Sequence, residues 1–205
     1  MRLLPCGTTA LLVEVDDLDE VLALYAALVD DRPDGVVDLV PAARTVLVVA
    51  DPARTTLPEV AAALRAAVPR HDRSATGELL EVPVTYEGED LREAAGLLDC
   101  SAEELVRRHT AAEWTVAFCG FAPGFGYLTS PAWPYDVPRR ASPRTRVPAG
   151  AVALAGTFSG IYPRASPGGW QLLGRTELVA FDLDREPAAL LRPGVRVRFV
   201  PAVGP

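Results

Sequence analysis

The side chains best equipped for chemistry in this chain are arginines. Four of them, Arg139, Arg140, Arg144 and Arg146, crowd into the segment PRRASPRTRVPAG at 138–150. A guanidinium presents N–H donors in a planar fork that matches a carboxylate or phosphate bidentately. Pro138, Pro143 and Pro148 fix φ along the segment, so the donors start partly ordered. Such a stretch is either an anion site or a solvated charged loop, and the residues alone leave the two evenly balanced.

Three other features invite the same question. In GIYPRASPGGWQLLGRT (160–176), Gly168 and Gly169 permit a positive φ or a close approach to a ligand. Successive N–H groups there could form an anion-binding nest beside Trp170; a tight turn before a core tryptophan explains the same letters. In FCGFAPGFGYL (118–128), Phe121, Phe125 and Tyr127 are interrupted by Pro123-Gly124. The rings either wall a groove that faces a partner or pack inside a bent strand. His109 lies four residues after Leu105 and three after Val106, on the apolar side of its helix. It is either a satisfied core residue or a proton carrier, since an unperturbed imidazole titrates near ~6.5.

Other chemistries are absent. All 20 basic side chains are arginine, which excludes a lysine Schiff base and a P-loop lysine. There is no GxGxxG after a strand, no GxSxG and no HExxH. Asp182 and Asp184 could touch a metal, but an edge strand explains them equally.

The elements that must hold these residues can be read from pattern. The chain has 205 residues, 49% of them hydrophobic and 23% charged, which supports a packed core. Its net charge of -7 argues against nucleic-acid binding. Residues 1–80 carry 13 acids and 7 arginines, whereas 81–205 carry 14 and 13, so the cations concentrate in the second part. Three scattered cysteines without a CxxC fit a reducing cytoplasm. The start, MRLLPCGTTALLVEV, reads as a first strand and not as a signal peptide, and no run reaches the ~18 apolar residues of a membrane span.

Apolar residues at Leu18, Val21, Leu22, Tyr25, Leu28 and Val29 make a helical stripe, with Asp17 and Glu20 as a capping box. GVVDLV and RTVLVVA read as a hairpin, and Thr56, Pro58 and Glu59 open a helix through Val68. A polar, breaker-rich stretch at 69–78 marks a boundary. Beyond it come a strand (LLEVPVTYEG) and two helices from Asp90 to Leu98 and Ser101 to Thr110, with a second capping box at Ser101 and Glu104. The short strands EWTVAFCG, AVALAG, WQLLG, LVAFDL and VRVRFV follow. The expectation is an α+β protein: an N-terminal α/β domain at 1–78 and a β-barrel or sandwich at 79–205.

Taken in order, GFAPGFGYL, PRRASPRTRVPAGAVALAG and GIYPRASPGGWQLLGRT resemble the allophanate-hydrolase-subunit-1 family, which includes the B component of ATP-dependent 5-oxoprolinase and the kinase inhibitor KipI. The resemblance spans nearly the whole chain and implies a cyclophilin-like C-terminal barrel. It implies action with partner subunits C and A, with ATP and Mg2+ shared among them, in opening 5-oxoproline to glutamate. Alternatives it allows are inhibition of a sensor histidine kinase and a part in a urea or amide carboxyltransferase, which would need a biotin carrier elsewhere. Arg139 and Arg144 match the family's two Pro-Arg pairs and are the expected catalytic donors for developing negative charge, with His109 as the proton carrier. Phe121, Pro123, Gly124, Phe125 and Tyr127 are the expected substrate- or partner-binding turn. Tyr162, Ser166, Gly168, Gly169 and Trp170 are expected to complete it. This chain departs from the family at Thr129, where glycine is usual, at Ala151, often serine, and at Phe158, often glutamine; the last two changes remove hydrogen-bonding capacity.

Overall fold

The computed structural model describes residues 1–70 and 79–202. The chain divides into two compact units, Met1–Ser74 and Ala75–Pro205. Most of the expected boundary stretch, 71–78, lies outside the described residues.

The first unit contains β1 (Arg2–Cys6), β2 (Ala10–Glu14), α1 (Leu18–Asp30), β3 (Val36–Pro41), β4 (Thr45–Ala50) and α2 (Leu57–Ala66). The opening residues form two strands and not one, because the chain reverses at Gly7–Thr9 and pairs Leu4 with Leu12. The sheet is antiparallel in the order β1-β2-β4-β3. Period-2 alternation sends Leu11, Val13, Val46 and Val48 to one face, where Val21, Leu24, Val60 and Leu64 of the two helices cover them. Thr56 and Glu59 form the complete capping box of α2. At α1 only half of the expected box forms: Asp17 accepts from the Glu20 amide, while Glu20 turns to the amide of Asp16. Helix α2 stops at Ala66, short of Val68, since the residue before Pro69 is driven out of helical geometry.

The second unit contains β5 (Leu79–Val84), α3 (Leu91–Leu97), α4 (Ala102–Ala111), β6 (Trp114–Cys119), β7 (Gly126–Thr129), β8 (Arg144–Val147), β9 (Ala151–Ala155), β10 (Phe158–Ile161), β11 (Ser166–Gly168), β12 (Gln171–Arg175) and β13 (Arg196–Pro201). Seven strands form one sheet in the order β12-β9-β10-β7-β6-β13-β5, and β8 with β11 makes a separate ribbon. The sheet nearly closes on itself. Thr85, just past β5, exchanges backbone hydrogen bonds of 2.9 and 3.0 Å with Arg175 at the end of β12. The fold is thus α+β with a barrel-like second unit.

Both faces of this sheet are packed, which is why all five residues of β9 are buried. Val152, Leu154, Leu128, Ile161 and Leu173 point to a core shared with Leu105 of α4 and Phe199 of β13. Ala151, Ala153, Ala155, Tyr127 and Leu172 point the other way, into an aromatic cluster.

One expected strand is absent. LVAFDL at 178–183 forms an irregular loop whose only ladder contact is the bridge of Phe181 with Ala189. Arg185 supplies the reason: its guanidinium donates to the carbonyls of Val179, Pro187 and Ala188, so this backbone is satisfied from within the loop.

Candidate functional site

The arginine segment is anchored by a carboxylate that pattern reading had taken only as the start of a helix. After the Thr85–Arg175 bridge the chain runs along β12, with Asp90 N–H donating to the Leu172 carbonyl at 3.2 Å. Asp90 occupies the N-cap position of α3 but makes no side-chain cap. Its carboxylate instead accepts from the Leu172 amide (2.8 Å), from Arg140 Nη1 (2.5 Å) and from Arg144 Nη2 (2.6 Å). Burial alone would raise the pKa of Asp90. The hydrogen bonds from Arg144 and the Leu172 amide, with the charges of Arg144 and Arg140, outweigh it and hold the carboxyl below its ordinary value.

Glu89 adds a second acceptor for Arg144 at 3.1 Å, and Glu93 stands 3.7 Å from Arg140. These two arginines are therefore neutralised by acids from the segment that closes the barrel. Both retain a buried N–H without a partner among the described residues, at Arg140 Nε and Arg144 Nη1. Arg139 and Arg146 are exposed and make no ion pair among the described residues.

The same segment is stitched to GIYPRASPGGWQLLGRT. Strand β8 pairs with β11, placing Gly168 opposite Arg144 and Ser166 opposite Val147. Arg140 N–H donates to the Gly169 carbonyl at 2.8 Å, and Gln171 Nε2 donates to the Pro138 carbonyl at 3.2 Å. Residues 138–140 therefore run alongside 169–171, with Arg139 level with Trp170. Gly168 is required for close approach, since a Cβ there would overlap the Tyr162 hydroxyl. Neither Gly168 nor Gly169 adopts a positive φ, so the expected anion nest does not form. Ser166 sits in the ribbon with its hydroxyl turned to the Arg164 carbonyl.

The aromatic residues gather around Phe125. Its ring lies 5.1 Å from Tyr127, 5.4 Å from Tyr162 and 5.3 Å from Trp170, each edge to face. Phe118 stacks on Tyr127 at 4.4 Å, and Phe158 meets both edge-on. Pattern reading missed Phe118 and Phe158 as members because they lie on two different strands. Phe118, Phe125, Tyr162 and Trp170 are buried, so most of the rings pack against one another rather than lining an open groove.

Phe121 is the exception. It is 57% exposed and held at φ 64°, in the left-handed region that a bulky residue rarely adopts. The turn continues through Pro123 and Gly124, which pack against Phe181. Pro123, Pro163, Arg164 and Phe181 line an open hollow of about 280 Å³. Burial raises the hydroxyl pKa of Tyr127 and of Tyr162, and the positive charge of Arg139 opposes both shifts.

His109 belongs to the other face of the sheet. It is fully buried, stacked on Phe199 at 4.4 Å, with Nδ1 2.8 Å from the Tyr86 hydroxyl and Nε2 2.9 Å from Ser159 Oγ. Desolvation pulls its pKa down to about 3. The aromatic residues expected to bind, together with the arginine segment, are brought together; His109 is not brought to them. Asp182 and Asp184 lie in the irregular loop, and among the described residues no cluster of three His, Cys, Asp or Glu side chains could hold a metal.

The fold and these paired segments can now be set against known proteins. The model of the carboxyltransferase domain, subdomain C and D, matches residues 1–191. The chain belongs to this carboxyltransferase-domain family. A family relative, the B component of 5-oxoprolinase from Escherichia coli O157:H7, is 48% identical over 125 residues, covering 60% of this chain and 57% of that protein. The chain thus matches little more than half the length of this curated relative. The crystal structure of TTHA0988 superposes with a TM-score of 0.76 at 39% identity, over 96% of this chain and 40% of the longer one. Kluyveromyces lactis urea carboxylase shares the fold, with a TM-score of 0.71 at 19% identity over 99% of this chain and 23% of that protein. In this carboxyltransferase-domain member, the Asp90-anchored arginine segment and the aromatic cluster lie along the same strand, β12.

Proposed function

We propose that the chain is a non-autonomous subunit of an ATP-dependent 5-oxoprolinase, acting with subunits A and C in the cytoplasm to convert 5-oxoproline, ATP and water to glutamate, ADP and phosphate. The supporting observation is the pairing of β8 with β11 beside the aromatic cluster, which unites the segments carrying the resemblance. The relative named as the B component of 5-oxoprolinase, at 48% identity, supports the same reading.

The side chains here do not fit ATP with Mg2+. The sequence has no lysine and no glycine-rich phosphate loop, and the described residues offer no acidic metal cluster. ATP belongs to a partner subunit in this reading. This chain contributes binding and orientation: Arg139 offers donors to a negative charge, Arg144 acts through its pair with Asp90, and the rings exclude water. Phe121, solvent-facing on a strained turn, is the anchor for the partner subunit. His109 serves as a neutral hydrogen-bonding hub of the core.

The test is reconstitution. The chain, co-expressed with its cognate subunits A and C, should release glutamate from 5-oxoproline only when ATP is present and all three are combined. Absence of glutamate under conditions where the Escherichia coli subunits work would refute the proposal.

A further inference from the structure

The four clustered arginines are not equivalent, and the difference defines a ligand. Arg140 and Arg144 converge on one carboxylate, Asp90, with Glu89 and Glu93 nearby. Arg146 shares a strand face with Arg144, whereas Val147, on the opposite face, enters the aromatic cluster. Arg146 therefore projects away from the rings. Arg139 alone is left unneutralised beside Trp170, and its charge reaches the hydroxyls of Tyr127 and Tyr162. One free guanidinium next to two phenols and a ring-lined face suits a single negative charge on a small flat body. It does not suit a polyphosphate, which needs several cations.

We infer that Arg139, Tyr127 and Tyr162 form a monocarboxylate-recognition site that this chain possesses by itself, and that Asp90 is its positioning residue. Asp90 does so by drawing Arg140 and Arg144 down onto β12, which leaves Arg139 as the one cation presented to the ligand. The inference deepens the reading above and rests on it only for the choice of 5-oxoproline as first probe.

Calorimetric titration of the full chain tests it, using 5-oxoproline, its uncharged carboxamide, and benzoate as a flat carboxylate without a lactam. 5-Oxoproline should bind, and both the carboxamide and the Arg139→Gln variant should weaken binding by about tenfold or more, the value of a charge-assisted hydrogen bond. Arg146→Gln should leave the affinity unchanged. Asp90→Asn should weaken carboxylate binding while leaving the weak carboxamide binding as it is, a selectivity that general loosening of the fold would not produce. If Asp90→Asn does not fold, Arg139→Gln decides alone. Benzoate binding that depends on Arg139, without 5-oxoproline binding, supports the carboxylate site and removes the 5-oxoprolinase substrate. 5-Oxoproline binding unaffected by Arg139→Gln, or no binding of either carboxylate, overturns the site.

Discussion

His109 and Ser159, fifty residues apart in sequence, meet through a 2.9 Å hydrogen bond on the core side of the barrel sheet. The neighbours of Ser159 on β10, Phe158 and Gly160, face the aromatic cluster on the other side, where Phe125 and Trp170 lie against Gly160. Ser159 Oγ also lies 3.4 Å from the Ala153 carbonyl. The arrangement that uses every donor has Tyr86 donating to Nδ1, Nε2–H donating to Ser159, and Ser159 donating to Ala153.

This relationship predicts a pH dependence. The folded pKa of His109, about 3, lies below its unfolded value, so the unfolded chain binds the proton more readily. The stability contributed by keeping this ring neutral is complete above the ordinary histidine pKa and is lost as pH falls from there toward 3. Thermal unfolding between pH 7 and pH 4 should show a falling midpoint, with a shallower slope in His109→Asn. The His109 ring signal by NMR should not titrate in that window; a midpoint near the ordinary value would contradict the burial.

Asp90 predicts a second one, with a different window. Its folded pKa is depressed, so its contribution is present above the ordinary carboxyl range and is lost as pH falls through the lowered value. Asp90→Asn leaves two partly buried guanidinium groups without their shared anion. At neutral pH it should cost about 3 kcal/mol, the scale of a broken buried ion pair. The difference from the wild type, followed by urea denaturation, should shrink in strong acid. A constant difference across pH would show that the charge is not what matters.

The barrel closure can be probed with one methyl group. A Cβ on Gly174 would overlap the Thr85 carbonyl oxygen, a backbone atom that cannot swing away. Gly174→Ala should therefore destabilise the second unit by about 1–3 kcal/mol, as overpacking does. Gly96, within α3, has open space around the same position, and Gly96→Ala should stabilise by up to ~1 kcal/mol through helix propensity. Equal effects of the two changes in chemical denaturation would refute the closure argument.

The strained turn makes a prediction of opposite sign for stability and for association. Phe121→Gly removes the left-handed penalty of about 1–2 kcal/mol while losing edge contacts to Phe125 and Tyr162. The urea midpoint should stay level or rise. Co-purification with the proposed partner subunits should fall sharply, because the exposed ring is gone. A large loss of stability would instead make Phe121 a packing residue.

Much of the fold follows from local pattern. Alternation at Leu11, Val13, Val46 and Val48, the Thr56–Glu59 box and the stripe of α1 each depend on residues within one turn or one strand. The barrel strands and the three segments that mark the family are equally visible, as runs bounded by glycine and proline. Tertiary contact decided the rest. Which arginines would be neutralised depended on Asp90, 50 and 54 residues away, and an aspartate opening a helix reads locally as nothing more than a cap. Closure of the barrel rests on Thr85 meeting Arg175, and the loop at 178–183 on carbonyls claimed by Arg185. His109 and the aromatic cluster fall on opposite faces of one sheet because side chains alternate along β10, whose strand neighbours only the folded chain selects. Spacing along a chain sets which residues can share a face; the charge a side chain keeps, and what it meets there, depend on distances through space.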